Sequence, residues 1–184
     1  MNELLKYLLY RIAISEHPTR YFWCAIRKRN LSAVKSFVKA GASLSVTGVG
    51  QWTPLYVGVL FGTDAICQVL IDSGANLDAA DDMGSTPLHR AIAGNRNAIA
   101  RCLLNAGANA NAVDAMGTTP LHLAASTRSE ETVRMLLNAG ASRSVRNLAG
   151  RTPFQWSVIL ESPPSIQRLL RDGLEVSPPG SGNT

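Results

Sequence analysis

The sequence is poor in the residues that most enzymatic and metal chemistry needs. It holds three histidines and three cysteines among 184 residues, and aromatic side chains make up 6%. No HExxH motif, no cysteine–histidine spacing suited to zinc and no glycine-rich phosphate loop occurs. Gly48-Val49-Gly50 lacks the surrounding glycines of a dinucleotide fingerprint. The cysteines are odd in number and form no CxxC, which excludes a disulfide-stapled framework and suits a reducing, cytoplasmic-type compartment. Hydrophobic runs are short, and none reaches the length of a transmembrane helix. Near the start, Glu3, Lys6 and Arg11 interrupt Leu4, Leu5, Leu8, Leu9 and Ile12, which argues against a secretory core. Lysine is absent after Lys39, an asymmetry with no physical explanation here.

What the chain does have is period. Thr53-Pro54-Leu55-Tyr56 recurs as Thr86-Pro87-Leu88-His89, Thr119-Pro120-Leu121-His122 and Thr152-Pro153-Phe154-Gln155, 33 residues apart each time. A degenerate copy, Arg20-Tyr21-Phe22-Trp23, precedes them in the same register. A glycine follows 21 residues after each start, at Gly41, Gly74, Gly107, Gly140 and Gly173. Threonine is a helix N-cap, proline is tolerated at the first helical position, and the later glycine suits a left-handed C-cap. Each unit therefore reads as start, helix, break, helix, stop.

The columns of the repeat are consistent. Five residues after each start lie Ala25, Gly58, Ala91, Ala124 and Ser157, all small, as close helix contact requires. Apolar columns run through Phe22, Leu55, Leu88, Leu121 and Phe154, and through Phe37, Leu70, Leu103, Leu136 and Leu169. Val38, Ile71, Leu104, Leu137 and Leu170 follow the latter and are also expected in the core. Cys67 and Cys102 fall in such columns and read as core filler. No unit can bury such a face alone, so neighbours must bury it together.

With this period and motif the chain resembles the ankyrin repeat family across residues 20–174. The resemblance implies an all-α solenoid of five stacked helix-turn-helix units with short β-hairpin tips, near 20–52, 53–85, 86–118, 119–151 and 152–174. It implies protein–protein recognition, no cofactor and no enzymatic chemistry. It also implies that His89 and His122 brace neighbouring units. Residues 1–19 are expected to form a capping helix and linker, and 175–184, with Pro178-Pro179-Gly180-Ser181-Gly182, a disordered tail. The outer units read as caps, the last carrying Arg168 where others carry Val69, Cys102 and Met135. Ser162-Pro163-Pro164 is expected to cap and start its second helix.

In that family the tips and first helices line a concave binding face. Here the tips are 48–52, 81–85, 114–118 and 147–151, and the first departs from register because Gly48 replaces Asp and Gly50 comes one residue early. The expected partner-binding residues are Trp52, Leu60, Phe61, Asp82, Met83, Ser85, Ala115, Met116, Thr118, Leu148 and Arg151. Two placements stay open. Met83 and Met116 either stand exposed as recognition anchors or fold onto the neighbouring tip, and Phe61 either faces solvent or fills a groove between units.

Net charge is +5, unevenly spread: residues 1–50 hold eight cations and two acids, residues 51–115 three cations and six acids. Arg27, Lys28 and Arg29 form a possible basic patch that is either a solvated cap or a site for an acidic partner, nucleic acid or anionic membrane. The leading expectation is a chain monomeric on its own that binds a protein partner rather than nucleic acid or membrane. A regulatory or inhibitory subunit of an enzyme is the alternative. Secreted effectors of intracellular bacteria also use this fold, and no translocation signal is identifiable. Ser126 and Ser129 near His122 lack an orienting acid, so no catalytic triad is expected.

Overall fold

The computed structural model describes residues 18–172. Ten α-helices run through them as five pairs: α1 (Pro18–Arg27) with α2 (Leu31–Lys39), α3 (Pro54–Phe61) with α4 (Asp64–Asp72), α5 (Pro87–Ala93) with α6 (Asn97–Asn105), α7 (Pro120–Ser126) with α8 (Glu130–Asn138), and α9 (Pro153–Ile159) with α10 (Pro164–Asp172). First helices pack on first helices and second on second. No strand occurs among the described residues, and none of their helices is long and apolar enough to cross a membrane. The expected cap at 1–19, apart from its last two residues, and the tail at 175–184 lie outside the described residues, as does Gly173. The helix expected from residue 20 begins at Pro18.

The start signals behave as their chemistry requires. Thr53 Oγ1 accepts from the backbone N–H of Tyr56, and Thr119 and Thr152 cap α7 and α9 in the same way, each with proline next in line. Second helices are capped by Asn30, Thr63 and Ser129. Arg96 and Ser162 share that column but act differently. Arg96 sends its guanidinium back to the Val59 and Gly62 carbonyls, 2.6 and 3.0 Å away. Ser162 does not serve as the expected cap; its hydroxyl donates to the Ala125 carbonyl at 2.6 Å. Val59 and Ala125 are equivalent positions, so both residues tie a second-helix start to the end of the preceding unit's first helix.

One continuous core runs through the stack. Phe22, Leu55, Leu88 and Leu121 are buried, as are Phe37, Leu70, Leu103, Leu136 and Leu169. The column after them is a rim rather than a core: Val38, Ile71, Leu104 and Leu137 are half-buried, and only Leu170 is fully covered. Phe154 is likewise half-buried. The small column is justified at Gly58, where an added Cβ would lie 3.2 Å from Leu70 Cδ1. Burial is shared between units, as Val158 shows. Its counterparts Ile26, Val59, Ile92 and Ala125 are buried under the following unit, whereas Val158, with no described unit beyond it, is exposed.

Each core side chain contributes about 1.5–3 kcal/mol on burial, so stacking rather than the short helices' own propensity holds the array. Leu103→Ala is expected to destabilise the chain by about 2–5 kcal/mol through an unfilled cavity. Urea unfolding checks this, and a midpoint equal to the parent's would contradict the placement of this column.

Candidate functional site

The most regular surface feature is built at the tips. Asp81 Oδ1 accepts from the backbone N–H of Met83 and Ser85, at 2.9 and 2.8 Å. Asp114 does the same for Met116 and Thr118, and Asn147 for Ala149 and Arg151. A short polar side chain thus folds each tip over its own backbone. Each tip is closed by one further bond, Asp81 N–H to Ser85 O, Asp114 N–H to Thr118 O and Asn147 N–H to Arg151 O. The expected hairpins exist as these closed turns without extending into strands. Gly84, Gly117 and Gly150 take positive φ, and at Gly84 an added Cβ would also come within 2.9 Å of Ala115 N. Successive tips are joined: Ala115 N–H donates to Met83 O, and Leu148 N–H to Met116 O, both at 2.9 Å.

This fixed spacing displays side chains. Met83 is 58% exposed, Met116 59% and Leu148 73%. The two methionines therefore do not fold onto neighbouring tips. Val113 stands exposed beside them, a position sequence reasoning missed because its column carries no repeated pattern. Asp82, Ala115 and Arg151 are exposed as expected. Ser85 is not on the surface: it is buried, with its N–H and carbonyl both bonded to Asp81. Thr118 is half-buried, and its carbonyl is occupied by His89. Leu60 and Trp52 are half-buried.

Trp52 belongs to an aromatic and cationic stack rather than to the tip stripe. Its ring stacks on Tyr56 at 5.7 Å and meets Phe61 at 6.4 Å. The guanidinium of Arg27 sits over the Phe61 ring at 5.4 Å, and Arg29 Nε donates to the Phe61 carbonyl. Phe61 is 38% exposed, so it borders solvent while resting against these neighbours. Arg27, Lys28 and Arg29 are all exposed.

The fourth letter of the motif links one unit to the next. His89 Nδ1 accepts from the backbone N–H of Thr86, so its proton resides on Nε2, which donates to Thr118 O in the next tip at 3.0 Å. His122 repeats this with Thr119 and Arg151 O. Both ring nitrogens of each are engaged, which leaves neither free as a general base. Gln155 caps Thr152 through Oε1 in the same column. Tyr56 has the equivalent place in its unit. Its hydroxyl donates to Asp81 Oδ2 in the next tip and accepts from Arg90 Nε, while Arg90 pairs with Asp81 at 2.7 Å. Burial pushes the Tyr56 hydroxyl up to about 12. Burial also works against the Asp81 carboxylate, but bonds from Tyr56, Arg90 and the Ser85 and Met83 N–H groups outweigh it and hold its pKa below the usual value. Cys67 is raised to about 12 by burial, the behaviour of an inert core thiol.

The first tip keeps the closing bond, Gly48 N–H to Trp52 O at 3.0 Å, but departs from the others at two positions. An added Cβ on residue 48 would collide with Cη2 and Cζ3 of Trp23, so the aspartate of the other tips cannot be accommodated beside that ring. The early Gly50 takes φ 75°, and Gln51 follows at φ 57° within a 3-10 turn, Val49–Gln51.

No group of three His, Cys, Asp or Glu residues that could hold a metal occurs among the described residues. A family model described as ankyrin repeats (3 copies) matches residues 21–114 and 93–179. No curated protein matches the chain.

Burial lowers the pKa of His89 and His122, and protonating Nδ1 would also remove the acceptor for the Thr86 or Thr119 N–H. The unfolded histidines titrate near the ordinary 6.5. Below that value the unfolded chain binds more protons than the folded one, so stability falls as pH drops through it, and the histidines contribute nothing to pH dependence well above it. The expected result is a melting temperature that declines on acidification through this window in the parent. In a variant combining His89→Gln and His122→Gln, as at Gln155, the decline is smaller. Equal slopes would contradict the assignment.

Proposed function

The chain belongs to the ankyrin repeat family, and from that premise we propose that it is a non-enzymatic recognition module that captures a protein partner on the concave side, along the tips and first helices. Repeats of this family are in general protein–protein interaction modules. What supports the specific reading is one observation: consecutive tips, joined by backbone hydrogen bonds, each carry an exposed apolar side chain, Met83, Met116 and Leu148, the last one position earlier in its turn. A rigid frame carrying adaptable thioethers and a leucine offers apolar anchors at low ordering cost, the arrangement from which interface hot spots are made. Asp82 and Arg151, exposed alongside, act as rim charges that orient an approaching partner. Three free cysteines suit a reducing, cytoplasmic-type environment.

Replacing both exposed methionines, Met83→Glu with Met116→Glu, is expected to leave the melting curve within about 0.5 kcal/mol of the parent's, since neither side chain supports the core. Proteins retained from cell lysate by the immobilised parent should be lost or strongly depleted on the folded variant. Equal retention of every captured protein would overturn the tip stripe as the binding surface.

A further inference from the structure

The fourth motif residue donates a hydrogen bond into the following tip at Tyr56, His89 and His122. Trp23 occupies the same place in the first unit and reaches the same following tip, where it rests against Gly48. Its indole Nε1–H is buried and finds no acceptor among the described residues. The reason is visible in the sequence: the aspartate that receives Tyr56 one unit later is replaced by Gly48. A buried donor without an acceptor is costly, and it is unusual in a native protein.

The surroundings are also electrostatically uncompensated. Residues 18–50 carry Arg20, Arg27, Lys28, Arg29, Lys35 and Lys39 and no acid, while residues 1–17 add two charges of each sign. None of these six cations takes part in an ion pair among the described residues; the pairs that exist all involve residues from Asp64 onward. A cleft of about 710 Å³ opens here, its walls including Arg20, Trp23, Cys24, Arg27, Lys28 and Gly48.

We propose that this cleft receives a carboxylate-bearing segment of a protein partner, whose acidic side chains supply both the missing acceptor for Trp23 and the counter-charge for Arg20, Arg27 and Lys28. A peptide fits better than a nucleic acid for two reasons. The next stretch, residues 51–115, holds six aspartates against three arginines and would repel a long polyanion tracking along the array. Trp52 is stacked on Tyr56 and Arg27 lies over the Phe61 ring, while Tyr21 and Trp23, two residues apart on α1, face different sides of it, so the rings do not form the shared row of faces that successive bases stack on. The ligand is a short acidic stretch confined to the first unit. The inference shares with the recognition-module reading only that the ligand is a peptide, and its test is independent of the methionine stripe.

The test uses the full chain and a short synthetic peptide that opens with a run of glutamates and continues in alternating leucine and serine. The indole N–H resonance of Trp23, assigned by its loss in Trp23→Phe, should shift on titration. Binding should weaken about tenfold in Trp23→Phe, which keeps a ring against Gly48 but removes the donor. Lys28→Glu, a change at an exposed side chain, should weaken the glutamate peptide by a similar factor and improve binding of its lysine counterpart. In the paired variant Trp23→Tyr with Gly48→Asp, which rebuilds the Tyr56–Asp81 contact internally, the glutamate peptide should no longer be distinguished from a neutral scramble. The Met83→Glu/Met116→Glu variant should bind the peptide through this cleft as the parent does. Equal binding of acidic and neutral peptides by the folded parent would overturn the proposal. So would tighter binding of a single-stranded oligonucleotide of matched charge. A Trp23 shift seen only when Glu3→Gln and Glu16→Gln are introduced would show that the chain's own acids fill the cleft, and would overturn it too.

Discussion

Every unit of this chain has an apolar face too large for it to bury, and the rest of the structure follows from how that face is covered. A pair of short helices joined by a turn presents leucines and phenylalanines on a side that only another such pair can close. Ile26, Val59, Ile92 and Ala125 are buried because a unit follows; Val158, in the same column with none described beyond it, is exposed. Stability is therefore distributed along the stack.

Polar contacts set the register of that stacking. The Nε2–H groups of His89 and His122 each reach a backbone carbonyl in the next tip, and Asp81, Asp114 and Asn147 fold those tips into one shape. The consequence is an even row of turns whose outermost side chains carry no structural duty. Met83, Met116 and Leu148 stand exposed while Asp81, Asp114 and Asn147 secure the backbone beneath them. The first tip keeps its closing bond, Gly48 N–H to Trp52 O, but lacks the aspartate. Trp23 fills the space an aspartate would need, and what is elsewhere an internal contact is left open beside an excess of positive charge.

Much of the fold was legible in the sequence because its signals are local and repeated. Thr-Pro marks a helix start through chemistry within four residues, and a 33-residue register makes each copy a check on the others. Exposure of the tip methionines was half legible. Their spacing placed them at tips, but whether a flexible side chain turns outward or onto its neighbour depends on packing that no column reports. Ser85 shows the opposite failure: a serine in a turn reads as surface, yet the carboxylate of Asp81 draws its backbone inward. Ser162 looked like a helix cap and instead ties two units together, because the carbonyl of Ala125 lies within its reach. The Tyr56–Asp81–Arg90 network joins residues up to 34 positions apart and leaves no periodic trace, since Tyr56 stands where the other motifs have histidine or glutamine.

The central claim is that each unit is held by its neighbours rather than by itself. Native-state hydrogen exchange of the full chain, read helix by helix, tests it most directly. If stacking governs stability, the backbone amides of α3, α5 and α7, each covered by a first helix on both sides, exchange slowest, and protection declines toward α1 and α9. Uniform protection across all ten helices, or faster exchange in the central pairs than at the ends, would contradict it.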